Sequence, residues 1–341
     1  MLRPLGAGER IDAGIKLYLR SFRALVPALL AVAVPVALID GAFSAWTATA
    51  IRATTPLIVT NPDGTRSFHS SAIGGLIGVT VITIVVALVL GVPGKAIAFR
   101  AYSNVYLGRP MTWRGVLGGG LRRVGSLLWI SVIVNGLALV AIGGLVLVVL
   151  ALVPLHALGI VLLIAPGVVL CCFEVWWSVS CRLAAPSLML EGVRGIGAVR
   201  RSVALVRGTW WSVFGTVLLA TLLVGVVSRV AAGVLSLLVS VVVSTSDVGM
   251  HALFTTLLTE LVTIVVFVPL TCAVATVLAV DMRVRKEGLD LAMLTDGLGD
   301  GAPKGTYDFL PRPRATFAPG QRPGPWPPAP GSADVWPPRG P

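Results

Sequence analysis

Charge is what this 341-residue chain has least of. Only 12% of it is Asp, Glu, Lys or Arg, against roughly a quarter in an ordinary soluble domain. Acids are the scarcer sign, 15 against 27 bases. Between Arg123 and Glu174 lie fifty residues without one charged side chain. About 20 apolar residues cross a bilayer as a helix, so this run reads as two spans joined by a tight turn and excludes a soluble core. Cysteine is scarce too. Cys171, Cys172, Cys181 and Cys272 form no CxxC and stand in or beside apolar runs. That excludes a disulfide framework and predicts small, buried, reduced side chains. The three histidines, His69, His156 and His251, have neither metal-ligand spacing nor an HExxH. The stretch Gly91-Val92-Pro93-Gly94-Lys95-Ala96 lacks the spacing and the hydroxyl residue of a phosphate loop. No catalytic constellation is present, so the chain is expected to be no enzyme and to bind no cofactor or metal.

What is present is apolar. The chain is 56% hydrophobic, with a mean hydropathy of +0.91. Its net charge of +12 would suit nucleic acid. However, the basic residues sit in short loops beside apolar runs, a placement that fits an anionic membrane leaflet and not nucleic acid. The first 50 residues resemble a signal peptide only loosely. The basic stretch is long, and Asp40 interrupts before Ala48-Thr49-Ala50, so an uncleaved first span is expected.

Six spans account for the pattern, at about 24–43, 73–92, 126–150, 158–179, from Trp210 onward, and 253–280. Pro154-Leu155-His156 makes the turn between the third and fourth. Counted in order, the arm carries five Lys and Arg and the loops two, six, none, five and none. The tail carries eight, and Arg229 stands alone inside the fifth span. Basic segments alternate with nearly bare ones, which places both ends in the cytoplasm. The expected fold is therefore all-α: a polytopic helical membrane protein of about six transmembrane helices, with cytoplasmic amphipathic interfacial helices. Residues 1–23 form an amphipathic arm and 24–281 the six-span domain. Residues 282–341 form a cytoplasmic tail, Pro-rich and disordered after about 297. The tail repeats a Trp-Pro-Pro element, which suits an aromatic groove or simply a solvated tail.

The fifth span is the ambiguous one. Gly208 to Ser246 is 39 residues with Arg229 as the only charge. One long or tilted helix is expected, broken near Gly225 or Gly233 and folded back. Three stretches share a plan of amphipathic helix, span out and span back. In the first, Ile11, Ile15, Tyr18 and Phe22 share a face. In the second, Thr112 caps a short helix. In the third, Ile196, Val199, Val203 and Val206 form a stripe. A threefold repeat and a common response to membrane entry both explain this plan.

Ionisable residues within spans are costly, and so they are the first functional candidates. Asp40, Arg229 and Glu260 fall at similar depth and predict an ion-pair cluster, serving either helix register or a proton relay. Glu174 is expected to reach the headgroups or to pair with Arg182, and Asn135 to bond a neighbouring helix. Arg122, Arg123, Arg200, Arg201 and Arg207 are candidates for contact with anionic lipid headgroups, or serve topology alone.

Three stretches carry a resemblance. They are Arg3-Pro4-Leu5-Gly6-Ala7-Gly8-Glu9-Arg10-Ile11-Asp12, then Ala185 to Gly192 with Ala198-Val199-Arg200-Arg201-Ser202 and Leu205 to Gly208, and last Asp281 to Leu291. Together they resemble the bacterial membrane-domain family named after glycerophosphoryl diester phosphodiesterases, over roughly residues 1–291. The catalytic barrel of the full-length enzymes begins with His-Arg-Gly and carries Glu-Asn-Thr, and neither occurs here. The resemblance thus implies a multi-span module without phosphodiesterase activity, handling lipids or their polar derivatives or assisting proteins that do. A scaffold recruiting cytoplasmic or membrane protein partners through its tail and a secondary transporter are the other readings.

Overall fold

In hydrocarbon, long apolar segments satisfy their backbone only as helices or closed barrels. In the computed structural model of this chain, the regular elements among the described residues are helices and one short antiparallel ribbon. It describes residues 6–54, 58–60, 66–68, 70–109, 111–152, 156–193, 195–242 and 248–288. The Trp-Pro-Pro tail and the Pro154-Leu155 turn lie outside these.

The elements are α1 (Ala7–Thr54), the antiparallel pair β1 (Ile58–Thr60) and β2 (Arg66–Phe68), α2 (Ser70–Tyr106), α3 (Trp113–Leu121) and α4 (Val124–Leu152). There follow α5 (His156–Cys181), α6 (Ala184–Glu191), α7 (Ile196–Val206), α8 (Trp210–Val242) and α9 (Val248–Val262). A π-helical turn, Thr263–Phe267, joins α9 to α10 (Val268–Glu287). Five described helices are long and apolar enough to cross a membrane, and a sixth is reached by the pair α3 and α4, bent by 52° at their junction.

α1 and the continuous helix from Val248 to Glu287 form the spine. Their contacts descend in register: Arg10 meets Asp281, Gly14 meets Val274, Tyr18 meets Val265, and Ser44 meets Thr256 at 2.7 Å. The two helices are therefore antiparallel. Gly14 makes the close approach, since a Cβ there would stand 2.7 Å from Val274 Cγ2. α2 runs alongside α10 in the same direction, with Gly94 against Ile264 and Val268 and the Tyr102 hydroxyl donating to Pro269 O. α4 and α5 form a hairpin, pinned where Trp177 Nε1 donates to Val134 O at 3.1 Å.

Proline explains the π-helical turn. Pro269 has no N–H to give to the carbonyl of Val265 four residues earlier, so that carbonyl needs another donor. The Tyr18 hydroxyl supplies it across the spine at 3.3 Å. The π-helical turn thus sits inside an unbroken helix, just before Pro269.

Three expectations change. The arm does not lie apart as an interfacial helix, because α1 is one helix of 48 residues. Its Ile11, Leu17 and Tyr18 are buried, with Ile11 packed beside Ala220 and Val274. α7 likewise docks on protein through Ala198, Val199, Ser202, Leu205 and Val206, while Ile196 stays exposed. α8 shows no break at Gly225 or Gly233 and is one helix of 33 residues. At 1.5 Å per residue that is roughly 50 Å, so a tilted span fits it. The Thr112 cap is present, with its hydroxyl accepting from Gly115 N at 3.3 Å. Cys181 and Cys272 are buried, whereas Cys171 and Cys172 are exposed.

Candidate functional site

Charged residues gather first at the end of the bundle where α1 starts and α10 stops. Arg10, 2% exposed, bonds Asp281 Oδ2 through Nη2 at 2.9 Å and Nε at 3.0 Å. Its Nη1 donates to Thr216 Oγ1 at 2.7 Å and Ser212 Oγ at 3.1 Å on α8. Arg285 reaches the same Asp281 oxygen at 3.0 Å. Beside this, buried Glu191 at the end of α6 accepts from Arg201 Nε at 2.8 Å, and Arg283 Nε stands 3.4 Å from it. Glu287 accepts from Arg201 Nη2 at 2.7 Å. Burial works against the charged Arg201, but the hydrogen bonds and charges of Glu287 and Glu191 outweigh it and hold the guanidinium above its ordinary value. Gly192, at φ 69°, lets α6 stop with Glu191 aimed at this group. The three sequence stretches singled out above thus meet in one place. Buried charges of both signs face each other here, so this assembly is a fastening and not an open site.

An open site lies deeper. Thr271 is ten residues before Asp281 on α10, so the level is roughly 15 Å in from the charged end. There α2, α4, α5, α10 and the start of α6 enclose a cavity of ≈ 170 Å³. Lys95 and Phe99 of α2 line it, with Ser131, Val134 and Asn135 of α4 opposite. Ser178 and Cys181 of α5 and Thr271 and Cys272 of α10 close the sides. Arg182, just past α5, completes the lining and also fills a slot between α8 and α10. The side chains of Arg182 and Lys95 are both exposed, so the cavity is open and reachable from outside the protein.

Lys95 and Arg182 come from different elements, and both act electrostatically on Cys272. Among the described residues neither has a side-chain hydrogen bond or ion pair, and no acid lines the cavity. Glu174 lies close enough to act on Cys181 but is not in the lining. Asn135 bonds its own helix, donating to Ser131 O at 2.8 Å, not a neighbouring helix as expected. Two converging cations amid hydroxyl and amide groups can hold an anion. Among the described residues no group of three His, Cys, Asp or Glu is placed to hold a metal ion.

The expected ion-pair cluster does not form. Asp40 and Glu260 come within electrostatic range of each other on α1 and α9. Arg229 is exposed on α8 between Val227 and Val230, themselves 51% and 62% exposed. Among the described residues no ion pair joins it to either acid. The sequence could not fix the rotation of α8 about its axis. Glu174 does not pair with Arg182 either. Of the headgroup candidates, Arg122, Arg200 and Arg207 are exposed. Arg123 instead donates to Leu188 O at 3.3 Å, and Arg201 is held by Glu191 and Glu287. Both therefore spend donors on protein acceptors.

No protein-family model, curated protein or solved structure matches the chain. Lys95 and Arg182 carried no sequence signal beyond loop charge. Each looks topogenic alone, and only the packing of α2 against α4, α6 and α10 brings them to one cavity.

Proposed function

We propose that this chain is a non-enzymatic, multi-pass module of a bacterial plasma membrane that handles polar lipids, with both ends in the cytoplasm. One observation carries this reading: Lys95 and Arg182, without a side-chain partner among the described residues, share a cavity that no acid lines. Both lie just past the inner ends of the expected second and fourth spans, where cations meet the anionic headgroups of the cytoplasmic leaflet. Lipids are the anions at hand in a membrane.

Three further features support the reading. The alternation of basic segments puts the charged end on the cytoplasmic side, where anionic leaflets attract Lys and Arg. Exposed Trp113, Trp129, Trp176 and Trp211 suit an interface. The resemblance to the membrane-domain family of glycerophosphoryl diester phosphodiesterases points to the same class of substrate.

Native mass spectrometry of the protein released from its own membrane in mild detergent tests this. A polar lipid retained at fixed stoichiometry is the expected result. A co-purifying protein with no defined lipid overturns it and favours a scaffold acting through the tail.

A further inference from the structure

The lining of the cavity selects a chemistry. Its formal charge comes from Lys95 and Arg182 alone. Around them stand neutral donors. The Ser131 and Ser178 hydroxyls have no partner among the described residues. Asn135 uses one amide hydrogen on Ser131 O and keeps the other. An anion here meets a forked guanidinium, a point-charge ammonium and several hydroxyl or amide hydrogens. That set matches a tetrahedral oxyanion with several charged oxygens better than a single carboxylate, whose two oxygens would leave donors unmet.

Size sets a second limit. Pockets that bury a whole drug-sized ligand run about 300–1,000 Å³. At ≈ 170 Å³ this cavity holds a headgroup and not the chains attached to it. The chains need an apolar path outside. Val132 and Val175, next along α4 and α5 from the cavity wall, are 43% and 40% exposed.

We infer that Lys95 and Arg182 grip the phosphate of an anionic membrane lipid in this cavity, leaving the acyl chains outside along α4 and α5. This inference rests on the lipid-handling reading above. The phosphate chemistry alone would also suit free inorganic phosphate, and the experiment separates the two sources.

Full-length protein, delipidated in detergent, is offered phosphatidate, the matching diacylglycerol, or inorganic phosphate, and retention is read by native mass spectrometry. Phosphatidate is expected to stay bound while diacylglycerol does not, and inorganic phosphate does not displace it. Lys95→Gln and Arg182→Gln should each weaken retention by about tenfold or more, the loss of a charged hydrogen-bond donor. Lys95→Arg should restore it. Thermal melting accompanies each variant. If Arg182→Gln melts early, Lys95→Gln and its rescue by Arg carry the test.

Equal retention of phosphatidate and diacylglycerol, unchanged in the variants, overturns the phosphate assignment and leaves lipid handling standing. Inorganic phosphate bound in preference to phosphatidate, and lost in the variants, overturns the lipid source. Retention of none of the three overturns both.

Discussion

A single carboxylate illustrates how much one side chain holds here. Asp281 faces Arg10 and Arg285, and Arg10 is 2% exposed. Neutralising it leaves a buried guanidinium without its charge partner, which typically costs about 3–5 kcal/mol. Asp281→Asn should therefore lower the melting temperature sharply in detergent. The pair Arg10→Met with Asp281→Leu should recover much of the loss, since apolar replacements leave no stranded charge. Arg229 behaves in the opposite way. It is exposed and unpaired among the described residues, so Arg229→Leu should change stability by no more than about 0.5 kcal/mol. A large loss on thermal unfolding would mean that it partners Asp40 or Glu260 after all.

Between elements, hydroxyl groups close the gaps that helix breaks open. α5 ends at Cys181 and α6 begins at Ala184, which leaves Leu183 N and Ser180 O without helical partners. Ser202 of α7 serves both, accepting from Leu183 N at 3.0 Å and donating to Ser180 O at 2.6 Å. Ser202→Ala strands two buried backbone groups and should cost about 1–3 kcal/mol, read from thermal unfolding. Tyr18 plays a similar part at the π-helical turn. Tyr18→Phe leaves Val265 O unmet, with an expected loss of about 1 kcal/mol. The same accounting explains why α7 docks on the bundle. Its predicted stripe included Ile196 and Val203, but the buried face is turned toward Ser202, where a polar group is required.

For the whole molecule, the prediction concerns sidedness. α1 and the Val248–Glu287 helix are antiparallel, so the start of one and the stop of the other share an end of the bundle. Reporters fused at the N-terminus and after Gly288 should therefore report the same compartment. By the charge pattern, the expected compartment is the cytoplasm. A reporter inserted at Asn61, in the loop after α1, should report the opposite one. Opposite signals from the two chain ends would break this topology.

Apolar length and the placement of Lys and Arg determined the helical class, the approximate spans and the expected orientation. These are one-dimensional properties: hydrocarbon thickness sets how many residues cross, and basic residues resist translocation. The Thr112 cap was legible for the same reason, because it depends on neighbours in sequence. Rotation about the helix axis was not. It turned Arg229 outward, left Asp40 and Glu260 within electrostatic range of each other, and spent donors of Arg123 and Arg201 on protein acceptors. Nor did the sequence reveal that Arg10, Glu191, Asp281 and Glu287 form one charged end, or that Lys95 and Arg182 share a cavity. Those outcomes depend on which helices pack together and at what register, as where Gly14 lets α1 close on Val274. Only the tertiary structure decides that.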